Sequence, residues 1–160
     1  MEENVPAEGQ QDLFDNHVEY TKASQGSRFL NFLVDNLLMQ FVLSYATGYL
    51  FAYILSALAP DMLDSLVSEE KSIEFFLISL ALSYFNYLIY YTFCETAFKG
   101  YTLGKLITGT RAIRADGGKL TFKDALLRSL SRIVPFEVFS GFGDAPWHDS
   151  WTKTTVVKAR

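Results

Sequence analysis

Two long runs without a formal charge, residues 37–59 and 75–94, constrain this chain more than any other feature. A helix needs roughly 20 mainly apolar residues to cross a hydrocarbon core of about 30 Å, and each run is long enough. Pro60 and Asp61 follow the first run, and Glu74 and Glu95 flank the second. The chain has 160 residues, enough for one domain. It has too little polar sequence to wrap two such helices inside a soluble bundle. The expected fold is an all-α integral membrane protein built on a two-span helical hairpin.

Charge placement orients the hairpin. Residues 60–74 carry Lys71 among five acids, whereas Lys99, Lys105, Arg111 and Arg114 follow the second run closely. Basic residues near a span mark its cytoplasmic side. The C-terminal part and, with two crossings, the N-terminus are expected in the cytoplasm, with the acidic connector outside. Residues 1–20 hold six acids and no base, unlike a secretory signal, and residues 1–23 read as a disordered polar tail. With Cys94 alone, there is no disulfide framework and no cysteine-based zinc site.

Within the first run Ser44, Gly48, Ala52 and Ser56 recur every four residues, a small-residue face on which helices in lipid pack closely. In the second, Ser79, Ser83, Asn86 and Tyr90 form one stripe and Tyr84, Tyr87, Tyr91 and Glu95 a neighbouring one. Polar groups avoid lipid, so these stripes face protein or water. They read either as helix–helix hydrogen bonding with an aromatic belt or as a polar pathway. Two helices cannot enclose a path, so the second reading requires a homo-oligomer.

Before the first run, Arg28, Asn31 and Asp35 stand at i, i+3 and i+7 on one helical face, across roughly 10 Å of axis. Arg28 and Asp35 are too far apart for direct contact, and Asp149, after His148, is a candidate partner. Arg28 with Asp35, and His148-Asp149 before Thr155-Val156-Val157, resemble the RDD family of small bacterial integral membrane proteins. Gly100-Tyr101-Thr102-Leu103-Gly104-Lys105, the turn Arg111–Gly118 and Leu127-Arg128-Ser129-Leu130 extend the resemblance over about residues 24–158. The family's name refers to one arginine and two aspartates, which map onto Arg28, Asp35 and Asp149. The resemblance implies a protein of the bacterial cytoplasmic membrane with a transport or transport-accessory role, cation or proton movement among the proposals. In the alternative, the Arg-Asp-Asp network is a structural clamp in a non-transporting scaffold or regulatory partner. Relatives have a longer third apolar segment; here residues 133–142, interrupted by Pro135 and Glu137, are too short to span and are expected to dip or lie at the interface.

The remaining cytoplasmic segment reads as a β-hairpin followed by an interfacial amphipathic helix. Residues 110–113 and 119–122 flank Asp116-Gly117-Gly118, and Thr121 with Asp124 makes a capping box. Leu126, Leu130 and Ile133 form that helix's apolar face. Lys105, Arg128 and Arg132 are expected to contact lipid headgroups, or one arginine to pair with Glu137 or Asp35. Gly100–Lys105 lacks the spacing of a phosphate loop. His148-Asp149 has no marked nucleophile, and His17 and His148 are the only histidines. No enzyme activity, cofactor, metal or nucleic-acid partner is expected; the expected partners are the bilayer, further copies of the chain, and a small cation or proton.

Overall fold

The computed structural model describes residues 20–68, 73–141, 143 and 145–159. The expected tail over residues 1–19 lies outside them. Ser24 starts the first helix, its hydroxyl accepting from the Ser27 amide at 3.2 Å. From there α1 (Gln25–Leu38), a single π-helical turn (Met39–Leu43) and α2 (Ser44–Leu58) run without a break. At 1.5 Å per residue this rod is about 51 Å long, well beyond the roughly 30 Å of a hydrocarbon core. Its two ends accordingly differ. Asn31 and Asp35 of α1 are buried by neighbouring elements, whereas α2 buries no residue. The π-turn lies at the junction, where Met39 packs on Tyr90 and Tyr91.

The connector is helical over α3 (Pro60–Ser68), and α4 (Ile73–Ala97) returns as the second apolar helix. Both Gln25–Leu58 and Ile73–Ala97 are long and apolar enough to cross a membrane. Lys99 and Gly100, both with left-handed backbone, turn the chain at the end of α4. Gly100 lies so close to the Ala112 carbonyl that no Cβ fits there. Thr102 caps α5 (Leu103–Thr108), and Gly109 in the left-handed region ends it and feeds β1 (Thr110–Arg114). The Thr121–Asp124 capping box opens α6 (Phe122–Arg132). The short α7 (Glu137–Ser140) and α8 (Trp147–Thr152) precede β2 (Thr154–Lys158).

The strand pairing corrects the expected β-hairpin. The Arg114 amide does donate to Gly118 at 2.9 Å, so the turn exists. Residues 119–122 form no strand: Thr121 is committed to capping α6. β1 instead pairs antiparallel with β2, Thr110 opposite Lys158 and Arg114 opposite Thr154. The β-branched run Thr154-Thr155-Val156-Val157 suits a pleated, half-buried surface better than Lys119-Leu120-Thr121. The N-terminal segment joins the far edge of β2: the Ala23 amide donates to Val156 at 2.9 Å, and the Lys158 amide to Thr21 at 2.9 Å. Residues 20–23 are thus part of the folded domain, which moves the expected tail boundary toward the N-terminus.

Residues 133–141 form turns and α7, with Phe136 and Phe139 exposed. Around α5–α8 the usual partition of polarity is reversed. Arg128, Glu95, Asp35, Asp149, Thr102, Thr110 and Ser129 are among the largest fully buried side chains. Leu103, Leu106, Ile107, Leu127, Leu130 and Trp151 are exposed.

Two glycines separate tight from open packing. A Cβ on Gly104 would collide with the Asn31 backbone, while one on Gly48 meets nothing within 4 Å. Gly104→Ala is expected to force α1 and α5 apart and cost about 1–3 kcal/mol, whereas Gly48→Ala leaves monomer stability unchanged or slightly raised. Thermal unfolding of both variants in detergent checks this.

Candidate functional site

The site is organised by two carboxylates with one arginine between them. Glu95, fully buried near the end of α4, accepts from Lys105 Nζ of α5 at 2.5 Å. It also accepts from Arg128 Nε at 2.8 Å and Arg132 Nη2 at 2.9 Å, both from α6. Arg128 and Arg132 are four residues apart, so one face of α6 presents both to the same carboxylate. Arg128 then reaches onward, its Nη1 donating to Asp149 Oδ1 of α8 at 2.5 Å and contacting the Thr154 hydroxyl. Arg28 Nη1 of α1 closes the chain on Asp149 Oδ2 at 2.8 Å. Five helices are thereby tied by Arg28, Asp149, Arg128, Glu95, Lys105 and Arg132.

The structure therefore places Arg28 against Asp149. Asp35 occupies a separate polar cluster: its oxygens accept from Tyr90 Oη at 2.7 Å, Thr102 Oγ1 at 2.7 Å and the Gly104 amide at 2.8 Å. Arg28, Asp35 and Asp149 are not one continuous ion-pair network; Asp35 joins α1, α4 and α5 through neutral donors. Asn31 adds to this join. Its amide nitrogen donates to the Ser27 and Gly104 carbonyls, each at 3.1 Å, in the orientation that also lets its oxygen accept from Thr110. Deeper between the spans, Asn86 Nδ2 donates to Thr47 Oγ1 at 2.8 Å. Of the small-residue face, Ser44, Gly48 and Ala52 are partly covered and Ser56 is exposed.

The expected headgroup contacts of Lys105, Arg128 and Arg132 are corrected. All three turn inward to Glu95, with side-chain exposures of 4%, 0% and 6%. The reason lies in α6 itself. If its leucines face outward, its arginines must face the protein, and a carboxylate must meet them. The proposed pairing of an arginine with Glu137 or Asp35 is replaced by the pairing with Glu95. The sequence places Glu95 at the flank of the second span and on its tyrosine stripe, facing protein or water, but assigns it no partner. The signal available for it was an acid on the tyrosine stripe of α4, four residues beyond Tyr91.

His148 sits between two acids: its Nδ1 is 2.5 Å from Glu137 Oε1 and its Nε2 is 3.5 Å from Asp149 Oδ1. Burial, reinforced by Arg132 and Arg128, holds its pKa well below the usual value, so the imidazole is neutral. Burial raises the Glu137 pKa. It also draws Lys105 down to about 8, against the opposing pull of Glu95. Two buried guanidinium nitrogens, Arg128 Nη2 and Arg132 Nη1, have no hydrogen-bond partner among the described residues. Each such donor costs about 1–3 kcal/mol. The Arg132 guanidinium lies 4.3 Å over the Tyr91 ring. Among the described residues no group of three or more His, Cys, Asp and Glu could hold a metal ion.

The RDD family model matches residues 22–146, most of the chain. The chain belongs to the RDD family. The matched segment includes Arg28 and Asp35 and ends three residues before Asp149. No curated protein and no solved structure matches it. This RDD protein thus combines two apolar helices that could span a membrane with a compact ion-paired domain at the end of the second.

Glu95→Gln leaves Lys105 and Arg132 beside a neutral amide without a carboxylate, and Arg128 with Asp149 alone. A loss of about 3–5 kcal/mol is expected, read as loss of the folded, monodisperse peak or a large fall in Tm. Acidification tests His148. Its proton is refused by the fold but accepted by the unfolded chain, so its contribution to stability falls as pH drops through the usual histidine range. Wild type is expected to lose more stability than His148→Gln between pH 7 and 5.

Proposed function

We propose that this RDD protein is a two-span scaffold or regulatory partner in the bacterial cytoplasmic membrane, and that its charged residues act as a clamp rather than as a transport site. The observation that carries this reading is that the carboxylates Glu95, Asp149 and Asp35 are all engaged by donors from other elements of the same chain. A buried ion pair adds little net stability, but it penalises every alternative packing that would leave a charge alone. Arg28 and Asp149 then fix α8 and β2 to α1, while Asp35 fixes α5 to both long helices.

The reversed polarity of α5–α8 supports a location in the membrane interface. Trp147 and Trp151 stack with ring centroids 5.5 Å apart, and both are exposed, as are Phe136 and Phe139. Aromatic side chains favour the headgroup level. The exposed Lys99, Lys119, Lys123, Lys153 and Lys158 carry the basic excess that favours cytoplasmic termini. The α2 helix, with no buried residue and open space over Gly48, is available to lipid or to a second copy.

A transport or transport-accessory role is the second reading. The polar stripe from Thr47–Asn86 to Tyr90–Asp35 along the facing sides of the spans favours it. It requires a second copy to close the path, and its ion would be a small cation or proton. Purified protein in sealed vesicles is expected to pass no more Na⁺, K⁺ or H⁺ down imposed gradients than empty vesicles. A gradient-driven flux that a folded Asp35→Asn variant abolishes would overturn the clamp reading.

A further inference from the structure

A cavity of about 390 Å³ opens beside the ion network, between α1, α4 and the α7–α8 segment. Its volume suits a small organic molecule or a lipid headgroup. Two kinds of wall meet there. Phe29, Phe32 and Tyr87 supply an apolar side, and Arg28, Lys105 and Arg132 a cationic one. The charge balance behind the cationic wall is incomplete. The connected ion-pair chain holds four cations, Arg28, Lys105, Arg128 and Arg132, against the two carboxylates Glu95 and Asp149. Arg132 spends Nη2 on Glu95 and lies over the Tyr91 ring, so the surplus positive charge of this chain is met by no further carboxylate among its ion pairs.

Two further carboxylates line the cavity and bear on which charge it accepts. Asp35 already accepts three hydrogen bonds from Tyr90, Thr102 and Gly104, which leaves it little to offer a cation. Glu137 is turned to His148 at 2.5 Å and to the Ser140 hydroxyl at 3.4 Å, and burial shifts it toward its neutral form. The unmet demand in the cavity is for an acceptor.

We propose that the cavity binds a phosphate ester, with its phosphate against the cationic wall of Arg28, Lys105 and Arg132 and the Phe29–Phe32 side against the ester's organic group. Guanidinium groups already held in place, Arg28 by Asp149 and Arg132 by Glu95, form a pre-organised cationic wall for an oxyanion. The ester's source is either an anionic phospholipid headgroup or a soluble phosphate monoester. The apolar wall continues onto the exposed Leu33 and Leu37 of α1, along which an acyl chain would run. The proposal goes beyond the clamp reading and stands whether or not the chain moves ions.

The test uses the full chain in a neutral detergent with three probes: short-chain phosphatidylglycerol, glycerol 3-phosphate, and short-chain diacylglycerol without phosphate. A saturable, one-to-one rise in Tm is expected with phosphatidylglycerol, glycerol 3-phosphate or both, and none with diacylglycerol. Response to phosphatidylglycerol alone assigns the site to a lipid headgroup; response to glycerol 3-phosphate assigns it to a soluble ester. Gly26 lines the cavity in the first turn of α1, and a Cβ there meets only Ser24 Oγ at 4.0 Å. Gly26→Leu should therefore fold and weaken binding at least tenfold by occupying the mouth. Arg132→Lys keeps a cation for Glu95 but removes the planar guanidinium from the cationic wall, and should weaken binding similarly. Absence of saturable binding by both phosphate probes, equal binding of diacylglycerol, or wild-type affinity in Gly26→Leu would overturn the proposal.

Discussion

The Glu95 carboxylate is the constraint on which the rest of the domain depends. It lies near the end of a helix long and apolar enough to span a bilayer, fully buried, and three cations from two other helices converge on it. In water such an arrangement would compete with hydration of four charges, and a hydrophobic core of the same size would serve as well. In lipid the hydrophobic effect no longer drives helices together, and packing with polar contacts must do so. A polar interior under an apolar exterior is the form a domain takes when its surroundings are apolar. The surface of α5 and α6 has that form, with Leu103, Leu106, Ile107, Leu127 and Leu130 outside and Lys105, Arg128 and Arg132 inside.

From this node the architecture follows outward. Arg128 carries the connection to Asp149, and Asp149 to Arg28, so α1, α6 and α8 meet. The strand pairing of β2 with β1 and with residues 21–23 reinforces that meeting. Gly104 and Gly100 matter because the connections are short: their missing side chains let α5 approach Asn31 and the end of α4 approach Ala112. Beyond the π-turn the first helix leaves this domain, and α2 packs on α4 without burying any residue. The molecule is a tightly tied domain joined to a hairpin whose first helix, α2, buries no side chain.

The spans were legible in the sequence because length and missing charge are local properties. So was the α6 cap, since Thr121 and Asp124 are three residues apart. Arg28, Asp35 and Asp149 were legible through the family resemblance, although their division into an ion pair and a separate neutral-donor cluster was not. What the sequence hid depends on contacts between distant segments. The turn at residues 116–118 is real, but the partner of β1 lies about 40 residues further on, and no local pattern selects it. Lys105, Arg128 and Arg132 look like headgroup ligands in any stretch that follows a span. Their inward direction becomes readable only once the leucines of α6 are known to face out and Glu95 to face in.

The central claim is that α5–α8 turns its apolar surface to lipid and its ion-paired Lys105, Arg128, Arg132 and Asp149 to the protein interior. The chain's two tryptophans, Trp147 and Trp151, both lie on α8 and report on that surface without any substitution. Their fluorescence in vesicles can be quenched from the lipid side by phospholipids brominated along the acyl chain, and from the water side by iodide. Strong quenching by shallowly brominated lipid, with iodide nearly ineffective, is the expected result. Efficient iodide quenching with no effect of brominated lipid would place the domain in water and contradict the account.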